Sequence, residues 1–296
     1  MDLFQPPFNF MRLPEEFSST KNSYFVILPV GYDATTSYLP GTRRGPQAVI
    51  EASINLEWYD MELDLEPYLE GIHTLNFLDI DASSPAKMHD NILKASKMVV
   101  KKDKFFVGLG GEHSVSYGFI QAHKELYKDF TVIHFDAHAD VRESYGGTEF
   151  SHASVIKNVY RLGIENIIQV GIRSMDSDEK IFLDNSNIVT ITGKDVYFKE
   201  KQSIEKMLSS IKHDNVYITF DVDAFDPSLI WDTGTPEPGG LNWYQALTFL
   251  KSIFESKNVI GCDVVEIRGD EPSNASTVGK LIYKIMGYKV WQKNFR

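Results

Sequence analysis

One cysteine, Cys262, occurs in 296 residues, so no internal disulfide can form and a reducing compartment is expected. No apolar run approaches the roughly 20 residues that a membrane-spanning helix needs. The opening stretch, MDLFQPPFNFMRLP, lacks the basic start, apolar centre and small-residue cleavage site of a secretory signal. A cytoplasmic protein without a membrane partner is expected. Positive charge is scarce too. The 30 Lys and Arg against 41 Asp and Glu leave −11, which disfavours nucleic acid and anionic surfaces and favours cationic ligands. Repeats, low-complexity tracts and Pro/Gly/Ser linkers are missing as well, so one domain over residues 1–296 is expected.

Short apolar runs rich in β-branched and aromatic residues are abundant. They are Tyr24–Leu28, Phe105–Val107, Thr131–Phe135, Ile167–Val170, Ile188–Ile191, Val216–Phe220 and Val259–Val265. Most are apolar on both faces, as strands of a parallel sheet covered by helices should be. Between them lie helical patterns. Ser84 and Pro85 supply a cap and first-turn proline before Met88, Ile92, Ala95 and Val99, and Asn242 can cap a helix that buries Ala246, Phe249, Leu250 and Ile253. The alternation predicts an α/β fold with a mostly parallel sheet.

The polar residues mark function. Gly110-Gly111-Glu112-His113 follows one predicted strand, and Asp136-Ala137-His138-Ala139-Asp140 another. Asp221-Val222-Asp223 follows a third, and Glu266 a fourth. In open α/β sheets, ligands bind outside the carboxyl ends of strands, so these residues share a site if the strands are neighbours. In extended chain Asp136, His138 and Asp140 lie on one face, and Asp221 and Asp223 repeat the spacing. With His113, the set holds four carboxylates and two imidazoles, more buried negative charge than is tolerable without cations. Two divalent metals would neutralise it, and the oxygen-rich, thiolate-free donors suit Mn²⁺ better than structural zinc.

The ordered segments LGGEHS, FDAHAD, TFDVDAFDP, TGTPEPGG and DVVE resemble those of the ureohydrolases, the arginase and agmatinase family. The resemblance begins near Gly31, with GYDATTSYLPGTRRGPQAV much like agmatinases, and extends to Glu266. It implies a three-layer α/β/α sandwich and a dinuclear manganese centre. His113 and Asp140 would hold one metal and His138 and Asp223 the other, with Asp136 and Asp221 bridging. It further implies that a metal-bridged hydroxide, oriented by Asp140, attacks the guanidinium carbon to give urea and an amine. Glu266 would bind the guanidinium group, and His152, in EFSHAS, would pass a proton to the departing amine. A homotrimer or homohexamer is implied as well. His134 is expected to pack on the opposite side of its strand, and His73, His89, His123 and His213 to be structural or solvated.

The chain departs from the family pattern at Trp231 and Asp232, which replace a Pro-Gly pair, at Ile267-Arg268 after Glu266, and at Glu112 in place of the commoner aspartate. The loop from Val141 to Phe150 resembles the agmatinase type, which makes agmatine the expected substrate. Arginine, guanidinobutyrate and formiminoglutamate are the alternatives within the family. Arg142 or Arg268 would serve an acidic substrate if either faced the pocket. Outside the enzyme class stand a non-catalytic metal-binding relative and a single-zinc deacetylase of the same fold.

Overall fold

The computed structural model describes residues 8–295. Eight strands form one sheet: β1 (Phe25–Val30), β2 (Ile72–Thr74), β3 (Phe105–Gly110), β4 (Thr131–Phe135), β5 (Ile167–Ile172), β6 (Val189–Thr192), β7 (Asn215–Asp221) and β8 (Asn258–Val265). Their order is β2-β1-β3-β8-β7-β4-β5-β6, and every pairing is parallel. Helices cover both faces, which makes the expected three-layer α/β/α sandwich. Helices Gly45–Ser53, Glu200–Ser210, Trp243–Ser256 and Pro272–Phe295 pack on one face. Pro85–Val99, Val115–Leu126, Val155–Arg161 and Ser177–Asp184 pack on the other. Among the described residues, no helix is long and apolar enough to cross a membrane.

The apolar runs become strands because both of their faces are buried. Every residue of β1, β3, β4 and β5 is buried. Alternation divides β4 between the two layers: Ile133 and Phe135 enter one core and Val132 the other. The helix starts are chemical. Asn242 accepts from the Gln245 amide at 2.9 Å, and the Gln245 side chain accepts in return from the Asn242 amide at 3.0 Å. The helix so begun buries Ala246, Phe249, Leu250 and Ile253. Truncating Phe249 to alanine would cost about 3–5 kcal/mol. Ser84 likewise accepts from the Lys87 amide ahead of Pro85.

The strand order positions the site. β3, β8, β7 and β4 are consecutive in the sheet, so the four strands that end in acidic or imidazole residues lie side by side. Outward from them, the chain runs to β1 and β2 on one side and to β5 and β6 on the other. A crevice at such a switch point is where open α/β sheets bind ligands.

Candidate functional site: an acid-lined metal centre

The residues reach the site by turns that follow the strands, and strand alternation does not carry them there. β4 ends at Phe135, so Asp136, His138 and Asp140 lie beyond it. The Asp136 carboxylate accepts from the His138 amide at 2.5 Å, and Asp223 accepts from the Ala137 amide at 3.0 Å. Asp221 closes β7 and accepts from the Asp223 amide at 2.8 Å, which starts the turn Val222–Ala224. Asp140 and Glu266 have φ of 51° and 69°. A side chain held there costs on the order of 1–3 kcal/mol, strain that tends to collect at functional sites. Gly111 permits the close approach that fixes β3's end, since a Cβ there would lie 2.0 Å from the Tyr32 carbonyl oxygen.

The six residues expected as metal ligands come together. His113 Nδ1 lies 3.0 Å from Asp136 Oδ2, 3.2 Å from Asp140 Oδ2 and 3.3 Å from Asp221 Oδ2. His138 Nδ1 lies 3.0 Å from Asp223 Oδ2 and 3.5 Å from Asp136 Oδ1. Asp136 thus belongs to two donor groups. The tautomer of His113 follows from its neighbours. Thr219 donates its hydroxyl proton to Asp263 at 2.7 Å, so it accepts from His113 Nε2–H at 3.0 Å. That leaves Nδ1 buried, without a hydrogen-bond partner, facing three carboxylate oxygens.

This arrangement fits cations. Donors about 3 Å apart match the edges of an octahedron with bonds of about 2.1 Å. Without cations the cluster would have to hold protons instead. Burial lowers His113, but Asp136, Asp140 and Asp221 outweigh it and lift the imidazole well above its usual value. Burial also opposes protonation of His138, yet Asp223 and Asp136 push it up to about 12. Burial, with the charges of Asp223 and Asp136, drives Asp221 well above the carboxylate range. The donor set of carboxylates and imidazoles can therefore hold a metal, with Asp136 in both donor groups and Asp221 beside His113.

A cavity of about 280 Å³ opens over the cluster, lined by His138, Asp140, Asp221, His152 and Glu266 among others. Glu266 is buried. One of its oxygens accepts from the His113 amide at 2.7 Å, and the other lies against Gly234, where an added Cβ would stand at 3.3 Å. Burial and the charge of Glu112 push the Glu266 carboxyl well above its usual range. His152 Nδ1 lies 3.3 Å from Thr35 Oγ1, and that hydroxyl donates to Glu112 at 2.7 Å. Nδ1 is therefore the donor, and Nε2 is left toward Ser37 at 3.5 Å and the pocket. Burial holds His152 below the usual imidazole value, while it pushes Glu112 up to about 7.

One expectation is corrected. His134 does not pack away from the site: its Nε2 donates to Asp136 Oδ2 at 2.7 Å. Asp136 lies past the end of β4, and the turn there brings its carboxylate back beside the His134 ring. Other contributors escaped the sequence altogether. Arg173 fastens the TGTPEPGG segment through the carbonyls of Glu237 and Pro238. Thr35 and Ser37 lie against His152, and Asp176 and Glu179 form the far rim of the pocket. The signal for the last two was their place just beyond a strand end, that of β5. Arg142 does face the pocket, but it is paired with Asp176 and Glu179, with Nη2 at 3.4 Å and Nε at 3.6 Å. Arg268 and the exposed Trp231 do not line this pocket. Arg268 instead pairs with Asp270 and reaches the Pro40 carbonyl, and the buried Asp232 accepts from the Glu271 amide. His73, His89 and His123 hydrogen-bond outside the cluster.

Comparison with known proteins agrees with this geometry. The model of the arginase family matches residues 23–287. An N(1)-aminopropylagmatine ureohydrolase of Synechocystis sp. is 37% identical over 93% of this chain and 92% of its own length. An agmatinase of Pyrococcus horikoshii is 34% identical over 90% of this chain and 92% of its own. The structure of the agmatine ureohydrolase of Thermoplasma volcanium superposes with a TM-score of 0.84 at 25% identity, covering 99% of this chain and 97% of that one.

Proposed function

The chain belongs to the arginase family and is a ureohydrolase of guanidino compounds, and from that premise we propose that it hydrolyses agmatine to putrescine and urea with two Mn²⁺ ions per chain. The observation that carries the substrate choice is the charge of the pocket wall. Beside the proposed metal ligands, Asp176, Glu179 and Glu266 line it, and the single arginine among its lining residues, Arg142, is already paired with Asp176 and Glu179, which leaves negative charge in excess there. A substrate with an acidic tail finds no free cation there, whereas a dication is attracted.

His113, Asp136, His138, Asp140, Asp221 and Asp223 would hold the ions, with Asp136 and Asp221 shared between them. When bound, two divalent cations supply a deprotonated water as nucleophile near neutral pH. Glu266 takes the planar guanidinium. Its free oxygen and the remaining lone pair of the oxygen held by the His113 amide give a fork for paired N–H donors. Asp140, which lines the pocket beside the cluster, would accept a hydrogen bond from the attacking water and aim it. As the C–N bond breaks, the amine would leave with a proton from the imidazolium form of His152, carried on Nε2 while Nδ1–H stays on Thr35, and Nε2 would be reprotonated from solvent. The lowered pKa of that imidazole favours release of the proton.

Urea release by the Mn²⁺-loaded protein, measured on agmatine, arginine and guanidinobutyrate, tests the reading. Agmatine should give the highest kcat/KM, and a preference for guanidinobutyrate would overturn the substrate choice. A second reading, agmatine carrying an aminopropyl extension, draws on the name of the Synechocystis relative and on a second cavity beside the pocket.

A further inference from the structure

We propose that Arg142 sets the length of the substrate tail, acting as a removable partition between the active-site pocket and the cavity beyond it. The proposal rests on the ureohydrolase reading above. Two cavities of about 280 Å³ each share one wall, made of Arg142, Asp176 and Glu179. The second continues past that wall to Ser144, Asp178 and Phe182.

The two sides of the wall are held differently. Glu179 accepts from the Val141 amide at 3.1 Å and from the Asp176 amide at 3.0 Å. Asp176 accepts from the amides of Asp178 and Glu179, both at 2.9 Å. The carboxylates are thus pinned by backbone. Arg142 is pinned only at its own amide, which donates to Ala153 O at 3.0 Å. Its guanidinium stands 3.4 Å and 3.6 Å from the two carboxylates and 4.9 Å from the centre of the Tyr145 ring. Charge-assisted hydrogen bonds are shorter, about 2.7–2.9 Å. A loosely held cation therefore sits on fixed anions, where the ammonium of a substrate tail would make the same contacts. A tail that ends at this wall is accommodated in front of Arg142. A tail that carries a further amine must pass through the place its guanidinium fills.

The test compares kcat/KM for agmatine and for agmatine extended by an aminopropyl group, on the Mn²⁺-loaded wild type, Arg142→Ala and the double variant Arg142→Ala/Ser144→Trp. Arg142→Ala should raise the ratio of long to short substrate tenfold or more. The added indole of Ser144→Trp, placed beyond the wall, should take that gain away. A ratio within twofold of wild type in Arg142→Ala, or a fall in it, overturns the proposal. If Arg142→Ala does not fold, Arg142→Lys carries the same test, with a rise of about threefold expected from its slimmer head and no rise counting against the proposal. Should the wild type release urea from neither compound, the ureohydrolase reading fails on its own. The partition is then read from calorimetric Kd values of the two guanidines, where the same tenfold shift supports it and no shift overturns it.

Discussion

Asp263 in the middle of β8 and Asp221 at the end of β7 are 0% and 3% exposed on adjacent strands, and their surroundings differ completely. Asp263 accepts from the hydroxyls of Ser116 at 2.8 Å, Thr219 at 2.7 Å and Tyr217 at 2.7 Å. Neutral donors from the chain itself satisfy both of its oxygens. Asp221 accepts from the Asp223 amide, and its other oxygen faces His113 Nδ1 beside the oxygens of Asp136 and Asp140. Burial raises both carboxyls above the usual range, but Asp221 is raised well above it because neighbouring charges add to the effect. The difference separates a carboxylate that completes a core from one set among further carboxylates and imidazoles. Burial alone does not tell the two apart; the identity of the donors does.

The largest expected effect comes from removing charge on the incomplete side. Asp136→Asn and Asp221→Asn should each lose metal and at least about 10³-fold in kcat, since each proposed bridge serves both ions. Metal analysis beside urea release checks this, and full occupancy with normal turnover would erase the contrast with Asp263. Next is Glu266→Gln, which keeps size and removes the charge. Breaking a buried charged pair costs on the order of 2–5 kcal/mol, roughly 30- to 5,000-fold in kcat/KM, with metal retained. Steady-state kinetics should show every guanidino substrate falling by a similar factor, because the tail is read elsewhere.

His152→Ala should keep both ions and lower kcat about 100-fold, the lower end for a positioned proton donor. Unchanged turnover across the pH range would remove His152 from the chemistry. The smallest effect belongs to the completed side. Tyr217→Phe strips the hydroxyl from one Asp263 oxygen, and leaving a buried acceptor unsatisfied costs about 1–3 kcal/mol. Denaturant unfolding should show that loss, with kcat within about twofold of wild type. A loss of turnover as large as that of His152→Ala would mean that the two carboxylates do not differ in kind.

Much of this was legible from residue order. Strands packed between two helical layers leave mostly apolar runs, so seven of them can be read directly, while β2, only Ile72–Thr74, is too short to show a period. The six proposed ligands and Glu266 stand out because polar residues directly follow apolar runs. The turns that aim them were not legible: the left-handed backbone at Asp140 and Glu266 replaces the strand alternation that the spacing suggested. His134 hides inside an apolar run, where its hydrogen bond to Asp136 leaves no mark on composition. Ser37, Asp176 and Glu179 come from segments distant in sequence, and the sheet order brings them to the pocket. Asp232 and Arg268, conspicuous as departures, tie loops behind the site.

The most direct measurement is a calorimetric titration of metal-free protein with Mn²⁺, with urea release from agmatine followed at each addition. Two equivalents bound per chain, with activity rising as they bind, is the predicted result. Fewer than two equivalents, or urea release that does not depend on added or retained metal, would contradict the account of the carboxylate cluster.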